Sequence, residues 1–218
     1  MPHGRDHYDN LLFSQAVSYF SESSNGLFTW RRAGAGIVGP ITMATTPTAS
    51  SQDVAPCLKQ VIDQGLFDPR PFDISADGNL QNEELGVLLI SNAITTDWGQ
   101  ASGIGCLPLF LAPVCFGWGA FVGGNPSLYT IVHELSHCLG TRDLYFGGVN
   151  GGHSLVGSSG LTYLDPWHRM KLGWSKPRIR SMTAEGEELL AITNTTTPDS
   201  PIILYHPTRG EREFFMIE

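Results

Sequence analysis

The chain lacks any long apolar run. None approaches the roughly 18 residues needed to cross a membrane as a helix, and the most apolar stretch, 107–122, is interrupted by Pro108, Pro113, Gly117 and Gly119. Positive charge is also scarce. Thirteen Lys and Arg stand against 21 Asp and Glu, a formal net charge of −8, so a phosphate backbone would be repelled and a nucleic-acid partner is not expected. Cysteine is sparse, with four residues and no Cys-x-x-Cys pair, which argues against a structural zinc finger. There are no internal repeats and no low-complexity tracts. The first residues carry no apolar signal core, and 213–218 reads as a strand cut in the middle. The expectation is an excised domain, with an intracellular protein as the alternative.

Against these absences, 41% of residues are hydrophobic, enough for a sizeable core. The 25 Gly and 14 Pro predict many turns and structured loops rather than a helical bundle. Helical spacing is expected over 9–20, 50–65 and 125–139, and over a short helix at 165–172. That last one is capped by Asp165, with Pro166 at its first position and Gly173 after its end. Strands are expected over 26–38, at 85–90, over 109–122 with a Gly-rich turn, and at 189–193 and 202–205. Residues 147–160 read as a glycine-rich loop, and 183–200 as a solvated hairpin. The fold class is α+β: one domain over 1–218, with an N-terminal lobe (1–140) and a C-terminal lobe (141–218) that can be truncated. Cys106 and Cys115 either close a short disulfide loop or are buried thiols. The five tryptophans read as packing residues, and His3 and His7 as unstructured.

The chemistry concentrates in 133–143, His-Glu-Leu-Ser-His-Cys-Leu-Gly-Thr-Arg-Asp. Residues four apart stack on one helix face, so His133 and His137 present two imidazoles to one point, as zinc requires. Glu134 lies about 100° round the helix, within reach of a metal-activated water but not placed as a ligand. Leu128, Ile131, Val132, Leu135 and Leu139 form an apolar stripe opposite the histidines. Asn125 and Pro126 suit the start of the helix. Gly140 lets it stop and turn back, so that Asp143 can supply a third, oxygen ligand. His153 is an alternative third ligand. Glu134 is then the general acid/base of a hydrolysis.

A second metal is suggested by 73–84. Asp73, Ser75 and Asp77 fall at positions one, three and five of a twelve-residue EF-hand calcium loop. Gly78 occupies the sharp turn at six, Asn79 offers its carbonyl at seven, Gln81 stands at nine, and Glu84 gives a bidentate carboxylate at twelve. Pro69 and Pro71 block a helix running straight in. A strand is expected after the loop, so it reads as a solitary stabilising loop.

The run 133–143 resembles the extended pattern His-Glu-x-x-His-x-x-Gly-x-x-Asp of the immune inhibitor A family of secreted metallopeptidases, relatives of the metzincins. Asp143-Leu144-Tyr145 and the segment 164–174, Leu-Asp-Pro-Trp-His-Arg-Met-Lys-Leu-Gly-Trp, are also similar to that family. The resemblance implies a metzincin-like zinc peptidase domain, a twisted mixed sheet over an active-site helix, with a C-terminal subdomain. It also implies endopeptidase activity on protein or peptide substrates and an extracellular location. One departure stands out. Where the family carries a methionine turn, this chain has Ser154-Leu155-Val156-Gly157-Ser158, with Val156 in place of the methionine. That opens the alternative of a catalytically inactive, metal-stabilised binding or structural domain. Tyr163 is either a transition-state hydrogen-bond donor or a core or rim tyrosine.

Overall fold

The computed structural model describes residues 2–109, 113–144, 154–157, 162–181, 201–205, 208 and 213–217. His153, the expected strand at 189–193, the expected hairpin and most of the glycine-rich loop lie outside the described residues. The architecture is mixed α+β. The chain divides into two compact units, the first comprising Met1–Val17 and Arg31–Asp143, the second Ser18–Trp30 and Leu144–Glu218.

The first unit is organised around β4 (Val114–Gly123). Strands β1 (Asn79–Leu80) and β2 (Val87–Ser91) both run parallel to β4, opposite Cys115–Phe116 and Gly119–Gly123 respectively. Strand β3 (Gly99–Leu107) is antiparallel to β4 along nearly its whole length and therefore occupies the other edge. Asn82 fills the gap in register between β1 and β2. Its amide donates to the Trp118 carbonyl at 2.6 Å and its oxygen accepts from the Trp118 N–H at 2.7 Å, so one side chain imitates a ladder rung. Cys106 and Cys115 are register partners across β3 and β4 and form a disulfide, while Cys57 and Cys138 are buried free thiols.

Helix α1 (Arg5–Asn10) leads through a π-helical stretch (Leu11–Ala16) into α2 (Val17–Ser23). Helix α3 (Val54–Asp63) buries Val54, Cys57, Leu58 and Val61 on one face, as its spacing predicts. Leu58 joins Leu80, Leu85, Leu107, Val114 and Phe116 in a core cluster. Each such apolar side chain contributes roughly 1.5–3 kcal/mol on burial. Helix α4 (Leu128–Cys138) packs on β4 and β3, and this contact places the site.

Several expectations are corrected. No strand forms over 26–38. Gly26, Gly34 and Gly36 sit at positive φ, which breaks an extended run, and Phe28 and Trp30 instead pack edge-to-face with Phe20. Residues 114–123 form one continuous strand rather than strands around a turn, because Gly117 and Gly119 make room and not bends. A Cβ at Gly117 would lie 2.4 Å from the Asn82 oxygen, and one at Gly119 would lie 2.8 Å from both Ile104 and Val54. Strand β3 was not anticipated. Helix α4 is capped by Ser127, which accepts from Thr130 N–H, while the Asn125 Oδ1 instead accepts from the His3 ring. His7 lies in α1 and stacks on His3. Trp98, Trp118 and Trp167 are exposed rather than core.

In the second unit, Phe20, Phe28, Trp30 and Trp174 form an aromatic cluster. Helix α5 (Pro166–Lys171) has the expected start: the Asp165 side chain accepts from His168 N–H, Pro166 is at the first position, and Gly173 follows at φ 73°. Strands β5 (Arg178–Ser181), β6 (Ile202–Tyr205) and β7 (Phe214–Ile217) form a small sheet, parallel then antiparallel.

Candidate metal centre

The end of α4 assembles the site. Leu139 caps the helix and Gly140 follows at φ 89°. Gly140 N–H donates to the His137 carbonyl at 2.9 Å, and Thr141 N–H donates to the Ser136 carbonyl at 3.4 Å. This paired pattern is a Schellman termination, which needs the left-handed residue at Gly140. The reversal carries the Thr141 carbonyl to His137, whose Nδ1 lies 3.0 Å from it. A carbonyl can only accept, so Nδ1 carries the proton of this bond, which leaves Nε2 as the nitrogen free to act as a metal ligand.

That nitrogen meets two other ligand-type atoms. His137 Nε2 and His133 Nε2 are 3.1 Å apart, and Asp143 Oδ1 lies 3.2 Å from His133 Nε2 and 3.3 Å from His137 Nε2. Arms of about 2.0–2.1 Å to a tetrahedral zinc put neighbouring ligand atoms roughly 3.3 Å apart. The three donors therefore already stand at the spacing of three tetrahedral corners. Asp143 Oδ1 is buried with no hydrogen-bond partner. A buried, unsatisfied carboxylate oxygen is costly unless a cation compensates it, so the residues fit a zinc-type ion. Among the described residues, this is the one group of at least three His, Cys, Asp or Glu side chains whose donor atoms all lie within 4.8 Å of one another.

Burial departs from the expected polar face. Every residue of α4 from Thr130 to Cys138 is buried, the histidines included. The Asp143 side chain is 22% exposed overall, although its Oδ1 is buried. Glu134, beside the ligands, is pushed up to about 8, chiefly by burial and then by the Asp143 charge. This lies in the range where a carboxyl exchanges protons at neutral pH. Tyr129 packs edge-to-face on the His133 ring with centroids 5.5 Å apart. Burial first, then the charges of Glu134, Asp143 and Asp97, raise its phenol. Neither Tyr129 nor the Thr141 carbonyl was singled out from sequence. Position four before His133 is a signal that could have found Tyr129, whereas a backbone carbonyl leaves none.

The other expected site residues make contacts of their own. In the 73–84 loop, the Asp73 carboxylate accepts from Asp77 N–H at 3.2 Å and Gly78 N–H at 2.9 Å. Glu84 accepts from Ser75 N–H at 2.8 Å, and Asp77 accepts from Asn79 N–H at 2.8 Å. Gly78 takes φ 78°. Tyr163 and Val156 belong to the second unit. The Tyr163 hydroxyl donates to Glu22 at 3.4 Å, and Val156 is fully buried. A groove of about 880 Å³ is lined by α3, β2 and residues 36–43. None of His133, Glu134, His137 or Asp143 lines it.

No protein-family model matches the chain, and neither does any curated protein.

Proposed function

We propose that the chain is a zinc-dependent endopeptidase of the immune inhibitor A type, with a metzincin-like domain. The observation that carries this reading is the triangle of His133 Nε2, His137 Nε2 and Asp143 Oδ1, with edges of 3.1, 3.2 and 3.3 Å. Those three side chains would hold the ion. When bound, zinc supplies Lewis acidity, lowering the pKa of a water to about 7 and polarising a carbonyl. Glu134 accepts the proton of the attacking water as its oxygen bonds to the peptide carbon. It then hands that proton to the nitrogen as the C–N bond breaks. Thr141 holds the His137 ring in the tautomer that presents Nε2, the usual office of a partner behind a metal-ligating histidine. The Cys106–Cys115 disulfide supports an extracellular setting.

The test is cleavage of casein or a quenched peptide library, with zinc measured on the same sample. Cleavage that stops with a chelator and falls by several orders of magnitude in Glu134→Ala supports the proposal. Equal cleavage by that variant refutes the mechanism, and stoichiometric zinc without turnover supports the inactive, metal-stabilised alternative.

We further propose that the 73–84 loop takes up calcium through Asp73, Ser75, Asp77, the Asn79 carbonyl and Glu84. Two observations favour it: the Asp73 carboxylate gathers the N–H groups of positions five and six, and Gly78 makes the turn. Calcium should raise Tm in the wild type and not in Glu84→Ala. An unchanged wild-type Tm at millimolar calcium would count against the site.

A further inference from the structure

We infer that Gly99, the first residue of β3, is a positioning residue for Glu134, bare because the Glu134 side chain fills the space a Cβ would need. This rests on reading Glu134 as the proton-transfer group. A Cβ at Gly99 would lie 2.5 Å from Glu134 Cγ, 2.8 Å from Oε1 and 2.9 Å from Cδ. All three are inside van der Waals contact. Gly99 needs no glycine for its backbone: its φ is not in the left-handed region, and it pairs regularly with Val122 in the sheet. The lack of a side chain is thus explained by what lies opposite. Glu134 itself is fixed on α4, which packs on β3, and it is only 6% exposed.

The consequence is directional. With Ala at 99, the backbone of β3 is held by β4, so the flexible partner yields and the Glu134 carboxyl is displaced from its place beside the ligands. A misplacement of about 1 Å in a reacting group costs on the order of 100-fold in rate. The three atoms nearest a Cβ at 99 all belong to Glu134 and none to His133, His137 or Asp143, so metal binding is expected to be retained. Gly103, four residues along the same strand, supplies the control. A Cβ there meets nothing within 4 Å.

The experiment compares Gly99→Ala and Gly103→Ala, each in the wild-type and Glu134→Ala backgrounds, by peptidase kinetics, zinc content and thermal unfolding. Gly99→Ala is expected to lower kcat on the order of 100-fold with KM and zinc content unchanged, while Gly103→Ala behaves as wild type. Gly99→Ala should also lower Tm in the wild-type background and not in Glu134→Ala, where the colliding atoms are gone. Should Gly99→Ala fail to fold alone yet fold together with Glu134→Ala, the inference is supported. Failure in both backgrounds overturns it, as does equivalence of Gly99→Ala and Gly103→Ala throughout. The thermal coupling needs no turnover. A wild type that cuts nothing therefore removes the peptidase reading while the coupling still decides the role of Gly99.

Discussion

Replacing Gly140 with alanine sets two effects of opposite sign against each other. Alanine restricts the unfolded chain, which by itself stabilises by about 0.4–1 kcal/mol. The folded chain, however, holds position 140 at φ 89°, where an L side chain costs roughly 1–2 kcal/mol. No atom lies within 4 Å of a Cβ built there, so strain and not collision sets the penalty. The strain wins, for a net loss of about 1 kcal/mol, or some 2–4 °C in Tm for a chain of this size. The same residue aims the Thr141 carbonyl at His137 Nδ1 and brings Asp143 back to the ligands, so a relaxed cap also misdirects two donors. Loss of a partner behind a ligating histidine typically weakens metal binding 10–100-fold, and a similar loss is expected here. Chemical denaturation gives the first quantity, and competition for zinc with a chromophoric chelator gives the second. Gly140→Asn tolerates the left-handed region and should stay near wild type in both. An alanine variant as stable as wild type, with undiminished zinc affinity, would refute the claim that this cap builds the site.

Two further outcomes follow from the sheet. Asn82→Ala removes both hydrogen bonds to the Trp118 backbone and leaves a half-buried N–H and C=O unpaired between β1 and β2. A loss of about 1–3 kcal/mol is expected in urea unfolding, and an unchanged midpoint would show that water substitutes freely. Replacing Cys106 and Cys115 together by serine opens a loop with a sequence separation of 9. That should cost roughly 2–3 kcal/mol by chain entropy, while in the wild type a reductant should reproduce the effect. Equal stability of reduced and oxidised wild type would contradict it.

What could be read from sequence was local. The pairing of His133 with His137 follows from helical pitch, the stop at Gly140 from backbone conformation, and the start of α5 from Asp165 and Pro166. Each is decided within a few residues. What could not be read depends on partners far along the chain. The sequence Gly-Gln-Ala-Ser-Gly-Ile-Gly-Cys over 99–106 has little intrinsic strand preference, and β3 exists because β4 pairs with it and Cys115 bonds to it. The glycines of β4 look like turn residues until Asn82 and Ile104 are seen occupying the space beside them. Phe28 and Trp30 look like strand residues until Phe20 and Trp174 gather them into a cluster.

The burial of α4 belongs to the same class and bears on the chemistry. An amphipathic pattern with histidines opposite leucines suggests an open polar face, yet β3 and β4 help to enclose it. Enclosure buries Glu134, and the Asp143 charge nearby adds to the cost of ionising it. Glu134 responds by holding its proton up to about 8, and Asp143 Oδ1 is left without a hydrogen bond. A divalent cation among His133, His137 and Asp143 would relieve both at once: it would compensate the buried oxygen and lower the cost of ionising its neighbour. The fold thus carries an electrostatic deficit at the point where the ligand lone pairs converge. Binding energy gained there is conformational stability gained as well, so the arrangement that would make the site reactive would also make the unit around it depend on its metal.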